Sequence, residues 1–402
     1  DLDSSESTSI LSSLDQPAPM MEQLEVRLLP DSEHKLPHRL FTMSSRLRHL
    51  VLQDCGMTWH SEFINFENLR SLKLFEQTES LLYQLLTILR QTSRLESLHL
   101  QMRNRMRDQS NGLVDSSLLR GVDPVILGHL KWIRLVGDLS YCDLLDHIVF
   151  SRNARSIYLS IQKEIPNPLA HSLAEKFDNG IEGSTLFLRL RSDLIECWKS
   201  KDTTQIPSCY DEPTIFIKSD SILVEAESFL RHLSLDKLTS LEINKFLEED
   251  SWTLFSNLPQ LRDLRLRFQD EFLDALQPDV AAILLAGAQS VHMPFPALRN
   301  LTMYECDLRY ASFSFVSGAE LLSSCFGLRR SIGLPLDSLR LEECTRNDII
   351  RLQVELESLR DIIDKVEWTE RDDYFEDEDM NDIFSYFEEL NAHLRYNYIY
   401  GD

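Results

Sequence analysis

His34 and His38 stand four residues apart, the spacing that puts two imidazoles on one helix face where they can share a metal ion. Pro37 lies between them and breaks such a helix, so the pair is not expected to bind metal. His171 and Glu175 have the same spacing, but an exposed polar pair is commoner than an acid–base pair. Asp372, Asp373, Glu376, Asp377 and Asp379 can gather divalent cations only loosely, because they lack the Gly turn and closing bidentate Glu of a calcium loop. There is no phosphate loop, dinucleotide fingerprint, nucleophile elbow or H-E-x-x-H motif. The cysteines, Cys55, Cys142, Cys197, Cys209, Cys306, Cys325 and Cys344, are widely spaced, odd in number and without a C-x-x-C pair. That argues against a zinc site or a disulfide framework and for a reducing compartment, cytoplasmic or nuclear. No catalytic residue, cofactor or metal is expected, and an enzyme with an unrecognised site is the remote alternative.

Composition narrows the partner. The chain has 402 residues, with 41 Lys+Arg against 65 Asp+Glu, a net charge of −24. Nucleic acid is excluded as the main ligand, since phosphate binding needs clustered positive charge. With 43% hydrophobic residues the chain can bury a large core. The longest apolar run, 280–288, is far short of the roughly 20 residues of a membrane helix, so no membrane contact is expected.

One phrase, apolar-x-x-apolar-x-apolar, recurs. It reads Met21-Leu24-Val26, Leu47-Leu50-Leu52, Leu69-Leu72-Leu74, Leu95-Leu98-Leu100, Leu130-Ile133-Leu135 and Ala154-Ile157-Leu159. It returns as Leu238-Leu241-Ile243, Leu261-Leu264-Leu266, Leu298-Leu301-Met303 and Leu336-Leu339-Leu341. Most copies are two to four dozen residues apart, with one gap of 84 between Ile157 and Leu241. Inside that gap Thr185–Arg191 and Thr214–Lys218 read as two degenerate copies. The last two apolar residues are two apart, so both point inward from one short strand, and the first turns the chain into it. This is the leucine-rich-repeat pattern. Cys55, Cys306 and Cys344 share one register after their strands, where a small buried side chain can meet backbone groups in the turn.

Helical segments are expected between strands. Leu81, Leu82, Leu85, Leu86 and Leu89 have helical spacing, Ser140 and Asp143 form a capping-box-like start, and Ile222, Ala226, Phe229, Leu230 and Leu233 mark another helix. The expected fold class is α/β: a curved leucine-rich-repeat solenoid, a horseshoe with parallel strands on the concave face and helices on the convex face. Residues 1–19 form an acidic, Ser-rich N-terminal segment, and 20–345 form the solenoid. The stripe Ile349, Leu352, Leu356, Leu359, Ile363 and Val366 makes 346–368 a C-terminal capping helix, a lid for the last unit rather than a coiled-coil seam. Residues 369–402 are an acidic tail, read as solvating.

The residues between and beside the inward apolar pair face outward on the concave side. The central ones are Glu25, Val51, Lys73, His99, Arg134, Tyr158, Glu242, Arg265, Thr302 and Arg340. Four are basic and two acidic, the reverse of the chain's balance. The flanks add Phe75, Trp132, Arg267 and Tyr304. Arginine with exposed aromatics is the usual make-up of a binding hot spot. The expected protein-binding set is therefore Lys73, His99, Trp132, Arg134, Tyr158, Arg265, Arg267, Tyr304 and Arg340. The segment it receives would carry acidic or phosphorylated side chains, with Arg134, Arg265 and Arg340 as forks.

The runs Leu47–Trp59, Leu69–Leu74, Leu82–Leu100 and Phe295–Cys306, Val366-Glu367-Trp368 and the acidic tail resemble the F-box/leucine-rich-repeat families of mushroom-forming fungi. The resemblance covers most of residues 20–370. It implies a substrate-recognition module in an SCF-type ubiquitin ligase, with the repeats holding a substrate protein and an F-box docking on the cullin-ligase adaptor. The Leu-Pro-x-Glu-Ile/Leu start of an F-box does not occur here, so an adaptor partner is expected only if an F-box lies upstream of Asp1. The alternative is a leucine-rich-repeat interaction scaffold with no ubiquitin link.

Overall fold

The computed structural model describes residues 18–28, 35–36, 45–54, 56–57, 66–77, 82–102, 122–137, 140–150, 154–161, 167–181, 183–191, 194–200, 213–219, 229–244, 249–267, 293–305, 318–344 and 357–370. The strands are β1 (Gln23–Arg27), β2 (Lys35–Leu36), β3 (His49–Gln53), β4 (Gly56–Met57), β5 (Ser71–Gln77), β6 (Ser97–Met102), β7 (Val125–Leu127), β8 (Trp132–Gly137) and β9 (Ile148–Phe150). They continue as β10 (Ser156–Ile161), β11 (Ser184–Arg191), β12 (Leu194–Ser200), β13 (Ile215–Ser219), β14 (Ser240–Asn244), β15 (Asp263–Arg267), β16 (Asn300–Tyr304), β17 (Ser338–Cys344) and β18 (Lys365–Glu370). The helices are α1 (Leu82–Gln91), α2 (Ser140–Asp146), α3 (Asn167–Gly180), α4 (Glu249–Ser256) and α5 (Gly318–Ser331).

One long, mostly parallel sheet dominates this mixed α/β fold. It has fourteen strands, in the order β1-β3-β5-β6-β8-β10-β13-β12-β11-β14-β15-β16-β17-β18. Each of the ten leucine phrases supplies one strand, and their apolar pairs are in register: Leu50 beside Leu72, Leu72 beside Leu98, Leu98 beside Ile133, and Leu264 beside Leu301. From β3 to β17 these inward pairs are at most 2% exposed, as a period of two on a half-covered sheet requires. The first apolar residue of the phrase closes a tight turn: Leu69 N–H donates to Phe66 O, Leu95 to Thr92 and Leu130 to Leu127. One carbonyl then accepts from two successive N–H groups of the next strand's start. Arg48 O receives Arg70 and Ser71, Arg70 O receives Glu96 and Ser97, and Arg262 O receives Arg299 and Asn300. Neighbouring strands are thereby locked at one height.

The gap of 84 residues is filled differently from expectation. Thr185–Arg191 and, from Ile215, the Thr214–Lys218 run form strands parallel to the array, but in reversed spatial order: β13 joins β10, and β11 joins β14. Between them lies β12, antiparallel to both, which the sequence reading missed. The sequence LIECWKS carries no leucine phrase, and its five buried residues stand consecutively, so alternation gives no signal. Sheet pairing with β11 on one side and β13 on the other buries it on both faces, with Phe187 stacked on Trp198 at 4.6 Å.

The expected C-terminal capping helix over 346–368 is corrected. Of its described residues only 357–360 are helical, and Lys365–Glu370 forms β18, parallel to β17. Ile363, Val366 and Trp368 repeat the leucine phrase, with Val366 beside Leu339 and Trp368 beside Leu341. Edge pairing wins because it satisfies the N–H and C=O row of β17, which a helix cannot do. The boundary of the acidic tail moves accordingly, since Thr369 and Glu370 belong to the sheet. The N-terminal segment to Pro17, the tail from residue 371, and Ile349, Leu352 and Leu356 lie outside the described residues.

α1 and α2 match the sequence expectation. The helix expected through Ile222–Leu233 is described only at its end, where 229–231 are helical. In α5, buried Arg329 donates to the carbonyls of Pro294 at 2.7 Å and Phe295 at 2.9 Å, pinning the helix to the turn before β16. Burial pushes this guanidinium down to about 10. Cys55 and Cys306 of the cysteine register lie outside the described residues, and Cys344 ends β17.

Candidate protein-binding face

Alternation along each strand leaves one central outward position, and the ladder aligns these into a single row. Across the sheet it reads Glu25, Val51, Lys73, His99, Arg134, Tyr158, Phe216, Glu196, Arg189, Glu242, Arg265, Thr302, Arg340, Glu367. The predicted residues fall into two groups. Lys73, His99, Arg134 and Tyr158 are consecutive on β5, β6, β8 and β10, with Trp132 beside them on β8. Arg265, Arg267, Tyr304 and Arg340 sit on β15 to β17. β13, β12, β11 and β14 stand between the groups.

In the first group, cations alternate with rings. The Arg134 guanidinium lies 4.2 Å from the centre of the Tyr158 ring, and Tyr158 stacks on Phe216 at 4.3 Å with the planes 9° apart. Phe75 meets His99 edge-on at 4.6 Å. Trp132 is 41% exposed, with Lys131 Nζ and the Arg155 guanidinium 5.8 Å and 5.7 Å from its ring. Lys73, Arg134 and Lys218 are exposed. His99 is half-buried, and its Nε2 has no hydrogen-bond partner. Burial first, then the charges of Arg134 and Lys73, push its imidazole down to about 4, so it is neutral at pH 7. In the three outward rows of β3, β5, β6, β8, β10 and β13 there is no Asp or Glu; Glu76 stands beyond them, where the β5 register shifts after Phe75. At the strand starts Glu96 pairs with Lys131 at 2.7 Å and Arg70 at 3.5 Å.

In the second group two of the three arginines are neutralised by neighbours. Arg267 binds Glu305 at 2.6 Å, and Arg340 binds Glu342 at 2.6 Å with Glu367 at 4.0 Å. The hydrogen bond to Glu305 is the main cause holding the Arg267 guanidinium above its ordinary range. Tyr304 is raised by burial and by Glu342. Arg265 has no ion pair to a described residue and stands between Glu242 and Thr302 in the row.

Between the groups lies an ion triad that sequence reading did not find. Arg189 reaches Glu196 at 3.2 Å and Glu242 at 2.9 Å, and all three side chains are only 11–12% exposed. Its guanidinium also lies 5.4 Å from Trp198 and 5.6 Å from Phe187. Burial opposes its charge, but Glu242 and Glu196 outweigh burial and raise its pKa. The triad spans β12, β11 and β14, so only the reversed strand order brings it together. Phe216 was also missed, although alternation within TIFIK marks it as the central outward residue.

Other candidates are dispersed. His171 packs on His232, with 3.8 Å between ring centroids, rather than serving Glu175 as a base. His34, His38 and the acidic cluster from Asp372 lie outside the described residues. Among the described residues no group of three or more His, Cys, Asp or Glu could hold a metal ion, and no helix is long and apolar enough to cross a membrane. No protein-family model matches the chain, and no curated protein gives a significant match.

Proposed function

We propose that the chain is a leucine-rich-repeat solenoid that binds another protein through the outward face of its sheet. By resemblance it is the substrate-recognition part of an F-box protein in an SCF-type ubiquitin ligase, acting in the cytoplasm or nucleus without a catalytic residue of its own. One observation carries the binding reading. In a chain of net charge −24, the outward rows aligned across six strands carry exposed cations and stacked rings and no Asp or Glu, the one acidic residue of these strands being Glu76 at the end of β5. A patch of that composition offers an electrostatic complement to acidic segments and ring surface for their apolar side chains. The substrate is a protein segment rather than nucleic acid, because tracking a nucleic-acid backbone needs more clustered cations than this face carries. The remaining subunits of such a ligase do the chemistry, and this chain supplies proximity.

The binding reading is tested by fluorescence anisotropy with a labelled Glu–Tyr copolymer. Saturable, salt-sensitive binding is expected, weakened about tenfold or more in Lys73→Glu/Arg134→Glu with its circular dichroism unchanged. Equal affinity in the two proteins refutes it. The ligase role is tested separately, by co-purification of the adaptor and cullin with the protein expressed in its natural length.

A further inference from the structure

We propose that the chain's own acidic tail, residues 371–402, occupies the cationic, ring-lined face around Lys73, Arg134 and Tyr158 and competes there with the partner. The inference rests on that face being the binding surface proposed above, and it adds a regulator to it.

Four observations converge. The first is charge. Residues 371–402 contain 10 Asp+Glu and 2 Arg, a net of −8, whereas Lys73 and Arg134 are exposed in outward rows that hold no Asp or Glu on β5, β6, β8 and β10. The second is chemistry beyond charge. The tail carries eight aromatic residues, among them Tyr374, Phe375, Phe384 and Tyr386. The face offers matching ring surface at Phe75, Tyr158, Phe216 and exposed Trp132. The N-terminal residues 1–17 are the other acidic segment, but they carry a net of only −4 and no aromatic residue.

The third is reach. The tail leaves from β18, nine sheet positions from β8. At about 4.8 Å per strand that is about 43 Å, and 32 residues extend to about 105 Å. Covalent attachment then gives the tail an effective concentration on the order of millimolar, which a free partner must overcome. The fourth is the contrast with the nearer arginines. Arg267 and Arg340 are already paired with Glu305 and Glu342, and Arg265 stands beside Glu242 in the row, so these nearer arginines offer less net charge.

The experiment uses the full chain. Zero-length carbodiimide coupling followed by peptide mapping should join Lys73 to carboxylates between Asp372 and Glu389, with a yield independent of protein concentration. Arg134→Glu should lower that yield about fivefold or more, as should high salt. Arg340→Glu should leave it unchanged. In the anisotropy assay, changing Asp372, Asp373, Glu376, Asp377, Glu378 and Asp379 to their amides should tighten copolymer binding about tenfold.

Coupling of Lys73 to residues 1–17, coupling that rises with protein concentration, or no coupling overturns the inference. If the amide variant binds copolymer no better than the parent while Lys73→Glu/Arg134→Glu still weakens it, the tail is not the competitor and the binding face stands. If neither the parent nor the amide variant binds, both readings fall together.

Discussion

Replacing Arg189 with Met should be among the most damaging single changes in the sheet. The side chain is held between Glu196 and Glu242 at 3.2 Å and 2.9 Å, and each partner is about as buried as the arginine itself. Met fills much of the volume, so cavity formation is small and the dominant effect is two carboxylates left in a largely desolvated row. Breaking a buried pair in this way costs about 3–5 kcal/mol. Lost contact with the Trp198 and Phe187 rings adds about 0.5–1 kcal/mol. Residual exposure lets some water in, so a loss of about 3–4 kcal/mol is expected. The measurements are urea unfolding and amide hydrogen exchange, with faster exchange centred on β11, β12 and β14. The same reasoning requires rescue. Adding Glu196→Gln and Glu242→Gln to Arg189→Met removes the orphaned charges and should restore most of the loss. A single change costing under about 1 kcal/mol, or a triple variant no more stable than the single one, refutes the account.

Two further outcomes follow from the core and the face. Leu98→Ala removes a side chain 1% exposed between Leu72 and Ile133 and should cost about 2–5 kcal/mol in urea unfolding. His99 is pushed down to about 4 when folded, against about 6.5 for a free imidazole. Between those values the unfolded chain takes up a proton that the folded chain refuses, so stability falls as pH drops from about 6.5 towards 4. His99→Gln should flatten unfolding midpoints across that window, and an unchanged slope counts against burial, Arg134 and Lys73 as the cause.

Much of the sheet was legible because its signal is local. A strand covered on one face must repeat every two residues, and the apolar residue three positions earlier marks the turn into it. Ten strands could therefore be placed from phrases such as Leu69-Leu72-Leu74, and aligning the phrases also aligned Lys73, His99, Arg134 and Tyr158. β18 was hidden by ambiguity. Leu359, Ile363 and Val366 have helical spacing, while Ile363, Val366 and Trp368 have the strand phrase, and both patterns use the same residues. Local periodicity cannot choose between them; the open edge of β17 does.

By itself the sequence determined which residues of each phrase turn inward and which stay outward, since side-chain alternation is a property of a few consecutive residues. It thereby determined the composition of the outward row on most strands. Tertiary structure alone decided the order of β13, β12 and β11, because strand neighbours are chosen by pairing between segments distant along the chain. That order joins Phe216 to Tyr158 and Arg189 to its two glutamates. It also separates the cationic patch around Lys73 and Arg134 from Arg267 and Arg340, which are paired with Glu305 and with Glu342 of Arg340's own strand. For Arg189 the Coulomb pairing acts at a few ångströms and so depends on which strands stand beside β11, not on which residues come next in the chain.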